Sequence, residues 1–211
     1  MTMKVALIGY GEVGRILAQD LAAQGHAVTA YDLKLATEAG NTLREHAASK
    51  GIALAASHAA AVQGAALVLS AVTANQAVPV AEAVALAIGP GAFFLDFNSA
   101  SPGAKQRAAA LVDAAGGRYV EGAVMTSIPP YRIQVPLLLG GPHAAALHPV
   151  LNGLGFAARV ASDQLGVASA TKMCRSVMIK GLEAMVIESF TTARHYGVED
   201  AVIASLHETF P

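Results

Sequence analysis

Three groups of residues in this sequence are spaced as chemistry requires: a set of close glycines near the start, an acidic side chain further on, and a downstream row of hydroxyls and lysines. Gly9-Tyr10-Gly11-Glu12-Val13-Gly14 follows an apolar run and opens a helical pattern. In that setting Gly9 permits a tight turn out of a strand. Gly11 lets backbone approach a diphosphate with no Cβ in the way, and Gly14 lets the helix lie close to the sheet. Free N–H groups at the helix start would meet the phosphate charge, with Tyr10, Glu12 and Val13 along the same ligand. The pattern alone is weak in a chain with 20 glycines; its strand–turn–helix context gives it content. Asp32, about 20 residues on, ends the next apolar run, where a carboxylate accepts hydrogen bonds from ribose hydroxyls and repels a 2′-phosphate. That favours NAD over NADP, while Lys34, which could reach a phosphate, keeps NADP open.

The downstream row is Ser169, Lys172, Ser176 and Lys180, at i, i+3, i+7 and i+11. On a helix these make one polar stripe along an otherwise oily surface. A lysine facing a partly buried cleft loses hydration, which draws it toward the range useful for proton transfer. The competing reading is a lysine snorkelling from an interface to water. Other candidates are weaker. None of the seven histidines has a metal-ligand spacing, so no metal site is expected. Asp113 and Glu121 carry no paired-carboxylate spacing, and Cys174 reads as a buried, inert thiol.

The elements that must position these residues alternate between short apolar runs and helical stretches, which argues for parallel β-α-β units. Strands are expected at Lys4–Ile8, His26–Tyr31, Ile52–Ala55, Ala66–Ala71 and Ala92–Asp96, with later ones at Tyr119–Ala123, Pro136–Leu139 and Ala157–Val160. Helices are expected over Glu12–Gln24, Ala36–Ser49, after Ser57, over Asn75–Ile88, and from Ser101-Pro102, where serine caps and proline fills the first turn. From Asp163 to Gly197 the pattern becomes one long helix, on the order of 45 Å at about 1.5 Å per residue. That exceeds what one small domain covers, so its oily far half is expected to pack on something else. A short helix from Glu199 to about His207 follows. The fold class expected is therefore α/β: a Rossmann-type doubly wound parallel sheet (1–162), then a long interdomain helix and a truncated helical segment (163–211).

Bulk properties exclude several classes. The chain has 211 residues, 54% hydrophobic and 14% charged, with a formal net charge of −1. Neutrality without a basic run offers no electrostatic footprint for nucleic acid or an anionic membrane. A single cysteine excludes an intrachain disulfide and fits a reducing, cytoplasmic compartment. The oily stretch from Ala65 to Leu95 is broken by Ser70, Thr73, Asn75, Gln76, Pro79 and Glu82, so it reads as buried strands rather than a membrane span.

Four segments together resemble the β-hydroxyacid dehydrogenases, which include 6-phosphogluconate dehydrogenase-like proteins. They are the glycine fingerprint, Asp96-Phe97-Asn98-Ser99-Ala100-Ser101-Pro102, Glu121-Gly122-Ala123-Val124, and Gly166-Val167-Ala168-Ser169-Ala170-Thr171-Lys172. The resemblance runs from Met3 to about Phe190. It implies that Lys172, six residues after Gly166, is the acid/base of an NAD(P)-dependent dehydrogenase or reductase acting on a small hydroxy acid or its keto form. It implies that Ser99, with Asn98 beside it, lies near substrate and nicotinamide, and that Val72 and Thr73 follow the cofactor's ribose and pyrophosphate. Two positions depart from the family: Met125-Thr126-Ser127 stands where Ser-Gly-Gly is common, and Ser176, beside Arg175, replaces an asparagine. Thr171-Lys172-Met173-Cys174-Arg175-Ser176 is similar to a branch of poorly defined substrate. A homodimer through the C-terminal helices is the expected partner arrangement. An imine or ketone reductase on the same fold, against which Lys172 argues, and an inactive NAD-binding module are the rival readings.

Overall fold

Eight apolar runs form a single sheet in the order β3-β2-β1-β4-β5-β6-β7-β8. The strands are β1 (Lys4–Ile8), β2 (Ala27–Tyr31), β3 (Ala53–Leu54), β4 (Leu67–Ser70), β5 (Phe93–Asp96), β6 (Arg118–Val124), β7 (Leu137–Gly140) and β8 (Ala158–Ser162). The computed structural model describes residues 2–210, and the chain divides between Lys172 and Met173 into two compact units. The first six strands follow the doubly wound order, and the chain changes direction between β1 and β4. Ligands bind in such sheets at this switch point, outside the carboxyl ends of the strands.

The helices of the first unit are α1 (Glu12–Ala23), α2 (Gly40–Lys50), α3 (His58–Val62), α4 (Ala77–Ala85), α5 (Pro102–Ala114) and α6 (Ala144–Gly153). They cover both faces of the sheet, so the central strands are apolar throughout rather than alternating. Along β1 the two-residue period sends Val5 and Leu7 into one core with Leu17, Leu21, Leu69 and Leu95. Ala6 and Ile8 enter the other, with Val68, Phe94, Val84 and Val112. Each fully buried leucine contributes roughly 1.5–3 kcal/mol relative to exposure.

Two features go beyond the expected β-α-β alternation. β7 runs antiparallel to β6, because residues 125–136 between them hold only a short 3₁₀ turn, Arg132–Gln134, and a parallel return needs a longer crossover, usually a helix. α6 was not expected from the sequence, where Pro149 interrupts the helical pattern. The stretch Leu33–Ala36 is a 3₁₀ turn, and α2 starts only at Gly40.

The long helix is α7 (Val167–Tyr196), 30 residues, followed by α8 (Glu199–Thr209). It starts later than Asp163 because Gly166 sits at φ +95, outside the helical region. In the second unit Val177, Met178, Leu182, Met185, Val186 and Ile187 of α7 are exposed, and Arg194 pairs with Glu199 at 3.0 Å. Cys174 is also exposed, which corrects its reading as a buried thiol: it lies on this same uncovered stretch of helix. No described helix is long and apolar enough to cross a membrane.

Candidate active site

The turn from β1 into α1 is shaped by its glycines. Gly9 has φ +94, and a Cβ there would stand 2.3 Å from the Ala71 carbonyl oxygen. A Cβ on Gly14 would stand 1.9 Å from the Gly9 oxygen, whereas at Gly11 no described atom lies within 4 Å. Gly11 is the N-cap of α1 and has no side chain to meet the free N–H groups, so the helix start is left for an anionic ligand. Substitution should separate these roles. Gly14→Ala is expected to destabilise the fold by about 1–3 kcal/mol through overpacking. Gly11→Ala is expected to leave the melting temperature unchanged and to weaken dinucleotide binding by about tenfold or more, as calorimetry would read.

Asp32 ties the second strand to that turn. Its Oδ2 accepts from Tyr10 N at 2.8 Å and its Oδ1 from Lys34 N at 2.9 Å, capping the 3₁₀ turn. Each oxygen keeps a further lone pair for a ligand hydroxyl. A cavity of about 350 Å³ opens here, lined by Gly9, Gly11, Asp32, Lys34, Tyr31 and His58 among others. The rings of Tyr31 and His58 meet edge-on, with centroids 4.6 Å apart. Burial holds the His58 imidazole below the usual histidine range, favouring its neutral form.

A second cavity, of about 440 Å³, shares Glu12, Val13, Ala71, Val72 and Thr73 with the first, so the two form one cleft across the strand ends. Its further wall carries Asn98, Ser99, Thr126, Ser127 and Lys172. Lys172 Nζ donates to Ser99 Oγ at 2.7 Å. Asn98 is buried and holds the strand ends together: its Oδ1 accepts from Val72 N at 2.6 Å and its Nδ2 donates to Ser70 Oγ at 3.0 Å. Thr73 Oγ1 donates to Asn75 at 2.7 Å. The loop bearing Thr126 and Ser127 is anchored on α1, where Arg132 meets Asp20 through Nε at 2.9 Å and Nη2 at 2.6 Å. Arg132 holds this contact at φ +52, a conformation uncommon outside glycine.

The structure thus gathers Gly9, Gly11, Glu12, Val13, Asp32, Val72 and Thr73 around the first cavity, and Asn98, Ser99 and Lys172 around the second. Two expected residues of the first unit, Tyr10 and Gly14, line neither cavity. The Tyr10 side chain is fully buried, with its hydroxyl 2.9 Å from His46 Nδ1, and Gly14 packs against Gly9. Ser176 belongs to the second unit.

Sequence reasoning missed a buried charged cluster that joins β5, α5 and β6. Lys105 and Asp96 are 1% and 0% exposed and pair at 3.0 Å. Lys105 Nζ also donates to the carbonyls of Asp96 at 2.8 Å and Gly122 at 3.2 Å, and the Tyr119 hydroxyl donates to Asp96 Oδ2 at 2.7 Å. Burial pulls the Lys105 ammonium below the ordinary lysine range against the opposing pull of Asp96. Burial, reinforced by Asp96, pushes the Tyr119 phenol well above its own. A signal for Lys105 exists in the sequence: it stands three, four and seven residues before Ala108, Ala109 and Val112, the buried stripe of α5.

This arrangement has known counterparts. The model of the NAD binding domain of 6-phosphogluconate dehydrogenase matches residues 4–160. A conserved hypothetical protein from Sinorhizobium meliloti 1021 is 37% identical, with a TM-score of 0.86 over 100% of this chain and 71% of its own. Conserved protein MTH1747, of unknown function and reported to be structurally similar to 3-hydroxyacid dehydrogenases, is 28% identical, with a TM-score of 0.82 over 98% of this chain and 76% of its own. An uncharacterized 28.5 kDa protein of Methanothermus fervidus is 27% identical over 98% of this chain and 77% of its own. A mostly parallel sheet in doubly wound order, a glycine turn that opens a helix, and a match over most of the first unit agree: the chain belongs to the family of the 6-phosphogluconate dehydrogenase NAD-binding domain.

Proposed function

We propose that this protein is an NAD(P)-dependent dehydrogenase or reductase of a small hydroxy acid or its keto form, with Lys172 as acid/base. The observation that carries this reading is the 2.7 Å contact of Lys172 Nζ with Ser99 Oγ, on the wall of a cleft whose other end is the glycine turn. The residues present suit a dinucleotide. Gly11 leaves open space where a Cβ would intrude, the N–H groups of α1 have no side-chain cap, and Asp32 directly follows β2. Asp32 disfavours a 2′-phosphate, so NAD is the preferred form, while Lys34 on the same cavity supports NADP as the lesser one.

Bound NAD(P) supplies the hydride acceptor in oxidation and the hydride donor in reduction. In oxidation, neutral Lys172 takes the substrate hydroxyl proton as the carbinol C–H bond breaks, so the alcohol loses a proton and a hydride and becomes the carbonyl. In reduction, the ammonium returns that proton to the carbonyl oxygen. Ser99 Oγ accepts from Nζ and keeps it in the cleft. Thr126 and Ser127, from the loop anchored by Arg132, offer hydroxyls to the polar end of the substrate.

The test is turnover over a panel of small hydroxy acids with NAD⁺ and NADP⁺, beside calorimetric titration of both. Oxidation of at least one acid, with NAD⁺ bound more tightly than NADP⁺, supports the reading; tight dinucleotide binding without turnover on any acid points to a binding module instead. The exposed apolar row on α7 supports a homodimer through the C-terminal helices. Sedimentation showing a monomer at all concentrations would contradict that arrangement.

A further inference from the structure

The start of α7 is capped by a residue from another element. The Gly166 carbonyl accepts the first helical bond, from Ala170 N at 2.9 Å, which makes Gly166 the capping residue. Its φ of +95 suits glycine, and glycine has no side chain to satisfy the free N–H groups of the first turn. Glu121, 45 residues earlier in β6, does so instead: its Oε2 accepts from Gly166 N at 2.5 Å and its Oε1 accepts from Ser169 N. These are the two donors, at the cap and the third helical position, that a capping box satisfies from within its own helix. Here one carboxylate of the sheet takes both. The Glu121 side chain is fully buried, and its register partner on β7, Gly140, leaves it room: a Cβ there would stand 3.0 Å from Oε2.

The clamp lies one turn before Lys172. The other member of the Lys172–Ser99 pair is held from the adjacent strand, where Asp96 Oδ1 accepts from Asn98 N at 2.8 Å. Asp96 and Glu121 are themselves register partners on β5 and β6, and Lys105 joins the two strands through Asp96 and the Gly122 carbonyl. The two sides of the Nζ–Oγ contact therefore hang from neighbouring positions of one sheet.

We propose that Glu121 is the positioning residue for Lys172: its carboxylate fastens the first turn of α7 to β6 and thereby sets the Lys172–Ser99 contact. This rests on reading Lys172 as the proton carrier, but a readout independent of turnover decides it. Trace acylation of the full-length chain with acetic anhydride, followed by peptide mass spectrometry, gives the labelling rate of Lys172 relative to exposed Lys34 and Lys180. Ser99→Ala, which removes the contact directly, calibrates the change. Glu121→Gln keeps the size, but its amide nitrogen cannot accept a hydrogen bond, so one of the two N–H groups goes unmet. It is expected to raise the Lys172 ratio about fivefold, toward the Ser99→Ala value, as local protection is lost. Glu121→Asp keeps the charge but falls short by one methylene; it serves if the glutamine variant does not fold, with an expected rise of about threefold. An unchanged Lys172 ratio in either folded variant overturns the proposal. On a substrate that the wild type turns over, Glu121→Gln is expected to lower kcat by about tenfold or more with dinucleotide Kd within about twofold; a loss confined to KM would also overturn it. If the wild type turns over no substrate, the dehydrogenase reading fails, and the labelling ratio still decides the role of Glu121.

Discussion

Replacing Lys172 by alanine is expected to lower kcat by about 10²–10⁴-fold, the usual contribution of a positioned acid/base. Lys172 lines the second cavity and not the first, so dinucleotide Kd should stay within about twofold, and kcat and kcat/KM should fall together, as they do when an interaction made in the transition state is removed. Lys172→Arg separates proton transfer from charge. Arginine keeps the positive charge but does not deprotonate in proteins, so it cannot take the hydroxyl proton, and oxidation should stay close to the alanine level. A lysine that only anchored substrate would instead be rescued by arginine, with the alanine variant showing a raised KM and an unchanged kcat. Initial rates of wild type, Lys172→Ala and Lys172→Arg on one substrate distinguish these outcomes. Turnover within about threefold of wild type in Lys172→Ala would remove the residue from the mechanism.

The largest effect on stability is expected at Lys105. Breaking a buried pair by removing one partner costs about 3–5 kcal/mol, because the remaining charge is stranded. Lys105→Met would leave the Asp96 carboxylate, 0% exposed, without its cation, and the Asp96 and Gly122 carbonyls without their donor. At about 2–4 °C per kcal/mol for a chain of this size, the melting temperature should fall by roughly 6–20 °C. Replacing an isolated buried pair with apolar residues is often neutral. Here the double variant Lys105→Met/Asp96→Ala should not recover, because the Tyr119 hydroxyl and the Asn98 amide both donate to Asp96 and would lose their acceptor. Thermal unfolding of the single and double variants checks this. A shift under about 2 °C in Lys105→Met would show the cluster to be energetically idle.

The parts of the fold that were legible in the sequence depend on local constraints. β1 was placed at its observed bounds because Lys4 and Gly9 bracket an apolar run. The glycine turn was readable because Gly14 answers a steric need within a few residues, whereas Gly9 meets the distant Ala71 and Gly11 faces open space. The helix after Ser101-Pro102 begins where its cap and first-turn proline put it. What escaped depends on distant partners. Glu121 showed no paired-carboxylate spacing and Lys105 drew no reading at all, since the groups that satisfy them lie 45 and 48 residues away for Glu121, and 9 and 17 for Lys105. Cys174 was misread for a different reason: free cysteines are usually buried and inert, but this one lies on an exposed stretch of α7. The reversal of β7 depends on a connection without a helix, which the strand pattern does not encode.

Transfer of label tests the central claim most directly. The protein would be mixed with reduced nicotinamide dinucleotide carrying deuterium at the transferable position and with a panel of small keto acids, and the products read by mass spectrometry. The account predicts a hydroxy acid with a single deuterium on its new carbinol carbon, formed by wild type and lost in Lys172→Ala. Tight dinucleotide binding with no deuterium in any product would contradict it.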